Sequence, residues 1–450
     1  MRLNTILDAA LLAKAVAGSF AFTWDEQESH ALDQQTTSAL ADVFAADFIA
    51  AHRLTAAPTA PVLAPVRSTE ALAGQIRAAG PSATLLLDQP RDLPRFVPVL
   101  AARLDLNPYP DAFAALGFAA GVRRAIALAQ NLPLTGNAVA IHLRGGDILH
   151  GTHAHHATYL HKAPSVLEID GLITKLTGMG HKVWLIGQER DVQACMARRH
   201  AGVTLPPDVA QGDVAQVLFD AVLMSRMQAV WGGNSGVTLL SRRLGGQPFH
   251  DLARLPPISD PGAWRHDPLA APAFAEISPA MKAHTYVKVI TATDPADWTD
   301  LHRDLIALAR HWRPDSKFLG LVQICVLTRL GHAAQAESAA KALLATPLPP
   351  VILPEMGYAF LTEAEHYFPQ RLTAPLAEAP LHGHPALQVF AALRQRLSDP
   401  DAAETALAPA LAALGPASVD PGFRAMTDRF WRDTAPGGQA GLRPACRGSS

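Results

Sequence analysis

The run AVAIHLRGGD at 138–147 constrains the fold more than any other part of this sequence. Its first six residues are apolar except for His142, and two glycines follow Arg144. A short apolar run bounded by glycine predicts a buried parallel strand, and Gly145 and Gly146 let the backbone turn close to a ligand. Because ligands bind outside the carboxyl ends of strands in open α/β sheets, we expect a ligand site immediately after this strand.

The chain beyond this run alternates between strand-like and helix-like segments. Short apolar runs predict strands at 182–187, 203–205 and 229–231. Helical periodicity and capping signals, such as Ser165 with Glu168, predict helices at 165–178, 189–199, 213–222 and 237–244. Strands joined by helices of this length form a parallel sheet with right-handed crossovers. The glycine-rich loop at 232–236 is therefore expected at the same sheet edge as Arg144.

Residues 1–135 also carry α/β signals and are predicted to form a first domain. Predicted helices lie near 2–18, 37–52 and 111–130, and predicted strands at 19–24 and 83–88. The opening segment is alanine-rich like a signal peptide, but Asp8 and Lys14 interrupt it and indicate an amphipathic helix. Proline and glycine at 131–137 mark the boundary with a second α/β domain at 136–290.

The pattern changes in the C-terminal part, where an extended run is expected at 284–291. Alanine- and leucine-rich segments then predict an all-α region at 291–433, with helices from about Trp298 to Leu414. The run from Leu330 to Pro347 resembles the second half of a tetratricopeptide repeat, and a plain helical bundle is the alternative. Residues 434–450, rich in glycine, proline and serine, are predicted to be a disordered tail.

Composition narrows the class of protein. With 450 residues, 49% of them hydrophobic, the chain can bury a large core in two or three domains. A formal net charge of -2 gives no polycationic surface, which argues against nucleic acid as a partner. Three widely spaced cysteines suggest neither a disulfide framework nor a thiolate zinc site, so a cytoplasmic location is expected. No apolar window is long enough to predict a transmembrane helix, and peripheral membrane contact stays open.

The six residues from His142 to Asp147 resemble the H-x-R-x-G-D motif of a fucosyltransferase superfamily. That superfamily includes the α1,2-, α1,6- and protein O-fucosyltransferases and the nodulation fucosyltransferases. Three further segments resemble parts of the family, in the family's order. Residues 2–24 resemble its opening N-R-L helix with the following strand, and residues 182–191 its middle donor-site strand. Residues 221–244 resemble the segment that carries its serine-bearing loop. The resemblance covers about residues 1–250.

The resemblance implies the GT-B arrangement, in which two Rossmann-like domains face a cleft. Residues 1–135 would then contribute mostly acceptor groups and residues 136–290 mostly donor groups. It also implies inverting transfer of fucose from GDP-fucose to a glycan, lipid-linked or protein acceptor, with no metal and no other cofactor. A nucleotide-sugar-binding or scaffold protein of the same fold, which lacks turnover and acts through its helical region, is the alternative.

The chemistry of the residues fits this implication. Without Mg²⁺, an enzyme that releases a nucleoside diphosphate needs a cation and oriented donors for the negative charge on the β-phosphate. By motif match Arg144 is that cation, His142 donates to the same phosphates or holds Arg144, and Gly145, Gly146 and Asp147 form the turn. The other expected donor-binding residues lie on the second loop, where a helix begins: Asn234, Ser235 and Gly236.

The expected catalytic base comes from the other domain. Asp25 and Glu26 follow the predicted strand at 19–24 and are the candidates for deprotonating the acceptor hydroxyl. In the family the position after Arg144 is frequently a second arginine, whereas this chain has Gly145. The family's glycine-rich turn would precede Arg2, so a truncated start and a reduced donor loop are both open.

Each candidate also has a structural interpretation. Arg144 is alternatively a surface ion-pairing residue, Ser235 an N-cap serine, and His142 a satisfied core histidine. A dense histidine cluster follows the motif, formed by His150, His153, His155, His156 and His161. It suits either a transition metal or, in our preferred interpretation, a loop that contacts the acceptor and carries Tyr159 and Lys162.

Overall fold

A computed structural model describes most of the chain. The described residues are 2–15, 19–22, 24, 39–54, 68–79, 108–150, 162–209, 213–252, 267–347, 370–379, 381–396 and 399–433. Contacts group the chain into two compact units: unit 1 is Met1–Arg144 with Gly171–Arg254, and unit 2 is Gly145–Asp170 with Leu255–Ser450. The boundary predicted at 135–136 falls within unit 1, and the division into acceptor and donor domains stays a prediction.

Unit 1 contains a five-stranded parallel sheet, which confirms the prediction of a parallel α/β fold. The strands are β1 (Ala138–Leu143), β2 (Lys182–Gly187), β3 (Val203–Thr204), β4 (Val230–Gly232) and β5 (Phe249–Asp251). Their order is β3-β2-β1-β4-β5, with β1 in the centre and buried at all six residues. The sequence analysis did not predict β5, because the three residues FHD are too few to carry a strand signal.

Helices cover the sheet of unit 1. Those before the sheet are α1 (Arg2–Ala15), α2 (Leu40–Val43), α3 (Ala46–His52), α4 (Thr69–Ala79), α5 (Tyr109–Ala114) and α6 (Ala120–Asn131). Those between the strands are α7 (Val166–Gly178), whose first turns belong to unit 2, α8 (Arg190–Arg199), α9 (Asp213–Ser225) and α10 (Gly236–Gly245). One hydrophobic core joins α1, α2, α5, α6, α9 and α10 to the sheet face that carries Ala138 and Ala140.

Two helices predicted in the first part of the chain are each interrupted. The helix predicted at 37–52 breaks at Phe44, which forms an antiparallel bridge with Phe118. The helix predicted at 111–130 breaks near Gly117, where a Cβ atom would lie 2.5 Å from the Cβ of Phe48. Among the described residues of the strand predicted at 19–24, Phe22 forms a parallel bridge with Arg53. The strand predicted at 83–88 lies outside the described residues.

Unit 2 is helical throughout the part that the structure describes beyond residue 266, which confirms the predicted all-α character. Its helices are α11 (Pro279–Ala292), α12 (Asp300–Trp312), α13 (Lys317–Arg329), α14 (Ala333–Ala345), α15 (Ala374–Glu378), α16 (Pro385–Gln395), α17 (Pro400–Leu414) and α18 (Pro421–Asp433). Gly331, with φ of 78°, turns the chain between α13 and α14. The tetratricopeptide-like repeat stays a prediction, and the tail at 434–450 lies outside the described residues.

The extended run predicted at 284–291 is wrong, because these residues lie in α11. Their β-branched side chains favour a strand, but most of α11 is buried against other helices. Thr285 donates its hydroxyl to the carbonyl of Met281 at 2.9 Å and accepts the N–H of Val166 at 3.1 Å. Tertiary packing has therefore overridden the local preference. Among the described helices, none is both long enough and apolar enough to cross a bilayer.

Candidate functional site

The candidate site lies at the carboxyl edge of the unit 1 sheet, between β1 and β4. The chain after β1 leads to β2 on one side, whereas β4 pairs with β1 on the other side. Such a reversal of strand order is a topological switch point, where α/β sheets leave a crevice for ligands. In register, His142 of β1 lies opposite Gly232 of β4. The predicted motif and the predicted glycine-rich loop therefore meet on adjacent strands.

His142 is a buried member of this edge. It is 5% exposed and lies on the same sheet face as Ala140. A Cβ atom on Gly232 would lie 3.2 Å from the Cβ of His142, so the glycine makes room for the imidazole. Burial, and secondarily the charge of Arg144, lower the pKa of His142 to about 4. The ring is therefore neutral at physiological pH, and its Nδ1 has no hydrogen-bond partner in the described part of the chain.

Arg144 stands two residues beyond His142, immediately after β1 ends, and is partly exposed. Its guanidinium places a positive charge at the carboxyl edge of the central strand. Gly145 and Gly146 follow in unit 2, where the Gly145 carbonyl accepts the N–H of Leu149 at 2.6 Å as a π-helix, Gly146–His150, begins. The side chain of Asp147 lies outside the described residues.

Ser235 is the N-cap of α10. Its Oγ accepts the N–H of Thr238 at 3.2 Å, and its own N–H donates to the Thr238 hydroxyl at 3.0 Å, which completes a capping box. This geometry matches the structural alternative for Ser235. The box accounts for the N–H groups of Ser235 and Thr238, and the first-turn N–H groups of Gly236 and Val237 have no partner within the helix. Asn234 lies exposed before the cap.

Helix α1 holds the beginning of α10 in place. Asn4, 2% exposed, donates its side-chain amide to the Gly236 carbonyl at 2.8 Å. Arg243 of α10 donates to the side chain of Asn4 at 3.3 Å and forms an ion pair with Asp8 at 3.0 Å. The Tyr109 hydroxyl donates to Asp8 at 2.8 Å, and its ring lies 4.5 Å from the Arg243 guanidinium.

This clamp of Asn4, Asp8, Tyr109 and Arg243 was not predicted from the sequence. Burial raises the pKa of Asp8, while the Arg243 charge opposes the shift. The available signal was local: Asn4 and Asp8 are four residues apart, so both polar side chains lie on one face of an otherwise apolar helix. Nothing local, however, indicated that their partner is Arg243.

Asp220 is a second residue that the sequence analysis missed. It lies on the buried face of α9, is 5% exposed, and accepts a hydrogen bond from the Gln216 side-chain amide at 2.8 Å. Burial is the main cause that raises the pKa of Asp220 to about 7. The charge of Arg190, which follows β2, lowers this pKa, and the charge of Asp208 raises it. A carboxylate on the apolar stripe of a predicted helix was the signal in the sequence.

The remaining predicted residues are not brought together in the described structure. Asp25 and Glu26 lie outside the described residues, as do Tyr159 and four of the clustered histidines: His153, His155, His156 and His161. His150 is exposed at the end of the π-helix, and Lys162 is half-buried. Within the described residues, no group of three histidine, cysteine, aspartate or glutamate side chains is arranged to hold a metal ion.

Comparisons with known proteins give a weak likeness to a solved structure. No protein-family model matches this sequence, and no curated protein matches it. A crystal structure of POFUT1 in complex with GDP aligns with 55% of this chain and 94% of that chain, at 12% sequence identity and a TM-score of 0.28. A likeness at this TM-score carries no argument, so the functional proposal rests on the geometry of the sheet edge.

Proposed function

We propose that the protein is a glycosyltransferase whose unit 1 binds a nucleoside diphosphate sugar. The observation that carries the proposal is that Arg144 follows β1, and the capped first turn of α10 follows β4, at the same edge of the sheet where these strands pair. The finer proposal, supported by the resemblance of residues 142–147, is inverting transfer of fucose from GDP-fucose without a metal ion. The acceptor is a hydroxyl group of a glycan, a lipid-linked sugar or a protein.

Two kinds of group at this edge suit a diphosphate. The Arg144 guanidinium is a planar donor that pairs bidentately with phosphate oxygens. The N–H groups of Gly236 and Val237 are unused within the helix and lie at the positive end of the helix dipole, where phosphate is favoured. Because the clamp fixes Gly236 through Asn4, these donors are held in place before the ligand arrives.

The proposed reaction needs a leaving group and a base. The acceptor oxygen forms a bond to the anomeric carbon while the bond from that carbon to the β-phosphate oxygen breaks, and GDP departs with the electron pair. Arg144 stabilises the charge that develops on the departing phosphate. The acceptor proton passes to Asp25 or Glu26, which stay the proposed bases. His142, Gly145, Gly146, Asp147, Asn234 and Ser235 stay the proposed remaining donor-binding residues.

One observation favours the alternative, a protein that binds a nucleotide sugar without turnover. The Ser235 hydroxyl already serves the capping box, and Gly145 stands where the superfamily frequently has a second arginine. Without a second arginine and a free serine hydroxyl, Arg144 would supply most of the stabilisation of the charge on the departing phosphate. Binding through Arg144 and α10 would survive, whereas the rate of bond cleavage would fall.

Release of GDP from GDP-fucose, with water or a hydroxyl acceptor, tests the proposal on the full chain. We expect turnover that survives a chelator and falls at least about 100-fold in Arg144→Ala, since a charge-assisted contact on the leaving group is lost. Arg199→Ala is the matched control, because Arg199 is exposed in the last turn of α8, at the opposite edge of the sheet. GDP binding without turnover selects the alternative, and absence of GDP binding refutes both.

A further inference from the structure

Unit 1 contains a cavity of about 240 Å³ that the proposed donor site does not use. It lies among α1, α3, α5 and the segment before Phe22, and its lining includes three rings and two charged side chains. The rings belong to Phe20, Phe48 and His52, and the charges to Lys14 and Asp111. A cavity of this size is smaller than the roughly 300–1,000 Å³ typical of drug-sized ligands, so it suits a single ring.

The three rings form one half-buried wall. The rings of Phe20 and His52 are stacked, with centroids 4.4 Å apart and an angle of 13° between their planes. The Phe48 ring centroid lies 4.6 Å from that of His52 on a tilted plane. His52 Nδ1 lies 3.0 Å from the Phe20 carbonyl oxygen, which can only accept, so Nδ1 carries the proton. In the neutral ring Nε2 is therefore an acceptor.

The charged side chains at the rim are not paired with each other. Lys14 ends α1 and Asp111 lies in the first turn of α5, and both are exposed. Neither side chain makes a hydrogen bond or an ion pair within the described structure. The cavity lining therefore includes a donor at Lys14, acceptors at Asp111 and His52, and the three aromatic rings.

We propose that this cavity binds one ring of a saccharide. The C–H face of a sugar packs on an aromatic wall, and each hydroxyl both accepts, as from Lys14, and donates, as to Asp111 or His52. Because a sugar is neutral, it does not neutralise the charge of Lys14 or Asp111. Both side chains therefore stay partly hydrated while they bind it. The assignment of this ring to the acceptor rests on the proposed function, whereas the binding of a sugar ring in the cavity does not.

The position of the cavity agrees with a role beside the donor edge. Asn4, which contacts Gly236, and Lys14 lie on the same helix ten residues apart. At a rise of 1.5 Å per residue, the two ends of this stretch of α1 are about 15 Å apart. One rigid helix therefore connects the donor-binding turn with the cavity, at a distance that a short oligosaccharide spans.

Ligand-observed NMR and calorimetry on the full chain test the proposal with four probes: the methyl glycosides of glucose, galactose, mannose and N-acetylglucosamine. We expect at least one glycoside to bind in the millimolar range, and Asp111→Asn and Lys14→Met each to weaken binding about tenfold, as expected for one charge-assisted hydrogen bond. The matched controls, Asp42→Asn and Lys175→Met, change exposed residues outside the cavity and should bind like the wild type. Because all four positions are exposed, folding should survive.

Several outcomes would overturn the proposal. The cavity does not select a sugar ring if no glycoside binds. The same conclusion follows if cyclohexanol binds as tightly as a glycoside, or if the zwitterion glycine binds more tightly than a glycoside. Unchanged affinity in Asp111→Asn and Lys14→Met would place the sugar elsewhere. GDP is titrated into the same samples: GDP binding without glycoside binding defeats this inference alone, and the reverse defeats the proposed function alone.

Discussion

Two buried histidines, one in each unit, occupy different kinds of environment. Burial is the main cause that lowers the pKa of both His142 and His284 to about 4. In unit 2, the Nε2 of His284 donates to the Ala163 carbonyl at 2.8 Å. In unit 1, the Nδ1 atom of His142 has no hydrogen-bond partner among the described residues. One ring nitrogen of His284 is thus bound within the fold, whereas the Nδ1 atoms of both histidines have no hydrogen-bond partner among the described residues.

The surroundings of the two rings extend this contrast. Near His284, Lys288 forms an ion pair with Glu168 at 3.0 Å, and Glu168 accepts the N–H of Ser165 in a capping box. Near His142, the first-turn N–H groups of α10 have no partner within the helix. Buried polar groups without partners are rare and call for an explanation. At the sheet edge a bound diphosphate sugar supplies that explanation, whereas in unit 2 unpartnered buried atoms among the described residues, such as Nδ1 of His284 and Oγ1 of Thr328, lie on helices α11 and α13.

Glycine substitutions should separate the two units most strongly. Gly187 ends β2 with φ of 127°, and a Cβ atom there would lie 2.1 Å from the Leu143 carbonyl oxygen. Gly331 has φ of 78° with open space around it. We expect Gly187→Ala to cost several kcal/mol, a large part of the roughly 5–15 kcal/mol total, and Gly331→Ala about 1–2 kcal/mol. Denaturant unfolding of both variants measures this, and equal costs would contradict the tight packing at β1 and β2.

Leucine at each histidine position tests the contrast itself. His284→Leu removes the shorter of two hydrogen bonds that the Ala163 carbonyl accepts, the other coming from Lys288 Nζ at 3.4 Å, so we expect a loss of about 1–3 kcal/mol in unfolding free energy at pH 7.5. His142→Leu removes a ring whose Nδ1 has no hydrogen-bond partner among the described residues, so we expect a change below about 1 kcal/mol. Chemical denaturation at that pH gives both values. A larger loss in His142→Leu than in His284→Leu would show that His142 has a structural partner.

The same pair predicts a pH dependence. A histidine whose folded pKa is about 4 binds fewer protons than in the unfolded chain, where the pKa is near 6.5. Stability should therefore fall as pH decreases from about 6.5 to 4, and each leucine variant should flatten part of that fall. Thermal unfolding across this range measures the slope, and unchanged slopes in both variants would contradict the burial of the rings.

Asp220 predicts an effect of opposite sign in unit 1. Its folded pKa of about 7 lies above its ordinary value of 3.8. Between pH 3.8 and about 7 the folded state therefore binds more protons than the unfolded chain. Its contribution to stability is present below pH 4 and is lost as pH rises to 7. We expect Asp220→Asn to be the more stable protein at pH 8, since each pKa unit corresponds to about 1.4 kcal/mol. Asp42→Asn, which changes an exposed carboxylate, is the control and should leave the profile unchanged.

Local signals in the sequence predicted the central strands of unit 1 and the beginning of α7. The apolar runs of β1 and β2 and the box of Ser165 with Glu168 are determined within a few residues, and the structure confirms them. The glycine-rich loop before α10 was likewise predicted to open a helix. The candidate edge could be predicted because parallel strands bring their carboxyl ends together.

Contacts between distant residues could not be predicted in this way. The clamp joins Asn4 to Gly236, which are 232 positions apart, and no local pattern relates them. In α11 the burial of Thr285 decided in favour of helix against β-branched preference. The breaks at Phe44 and Gly117 depend on bridge and packing partners elsewhere in the chain.

A titration of GDP into two variants of Ser235 tests the central claim most directly. Asparagine and aspartate both cap a helix as well as serine does, so Ser235→Asn and Ser235→Asp should retain α10 and differ by one negative charge. If phosphate lies at this turn, we predict that Ser235→Asn binds GDP within about threefold of the wild type. Ser235→Asp should bind about 30-fold more weakly, since like charges repel by roughly 2 kcal/mol at this range. Equal affinity of the two variants, or a wild type that does not bind GDP, would contradict the account.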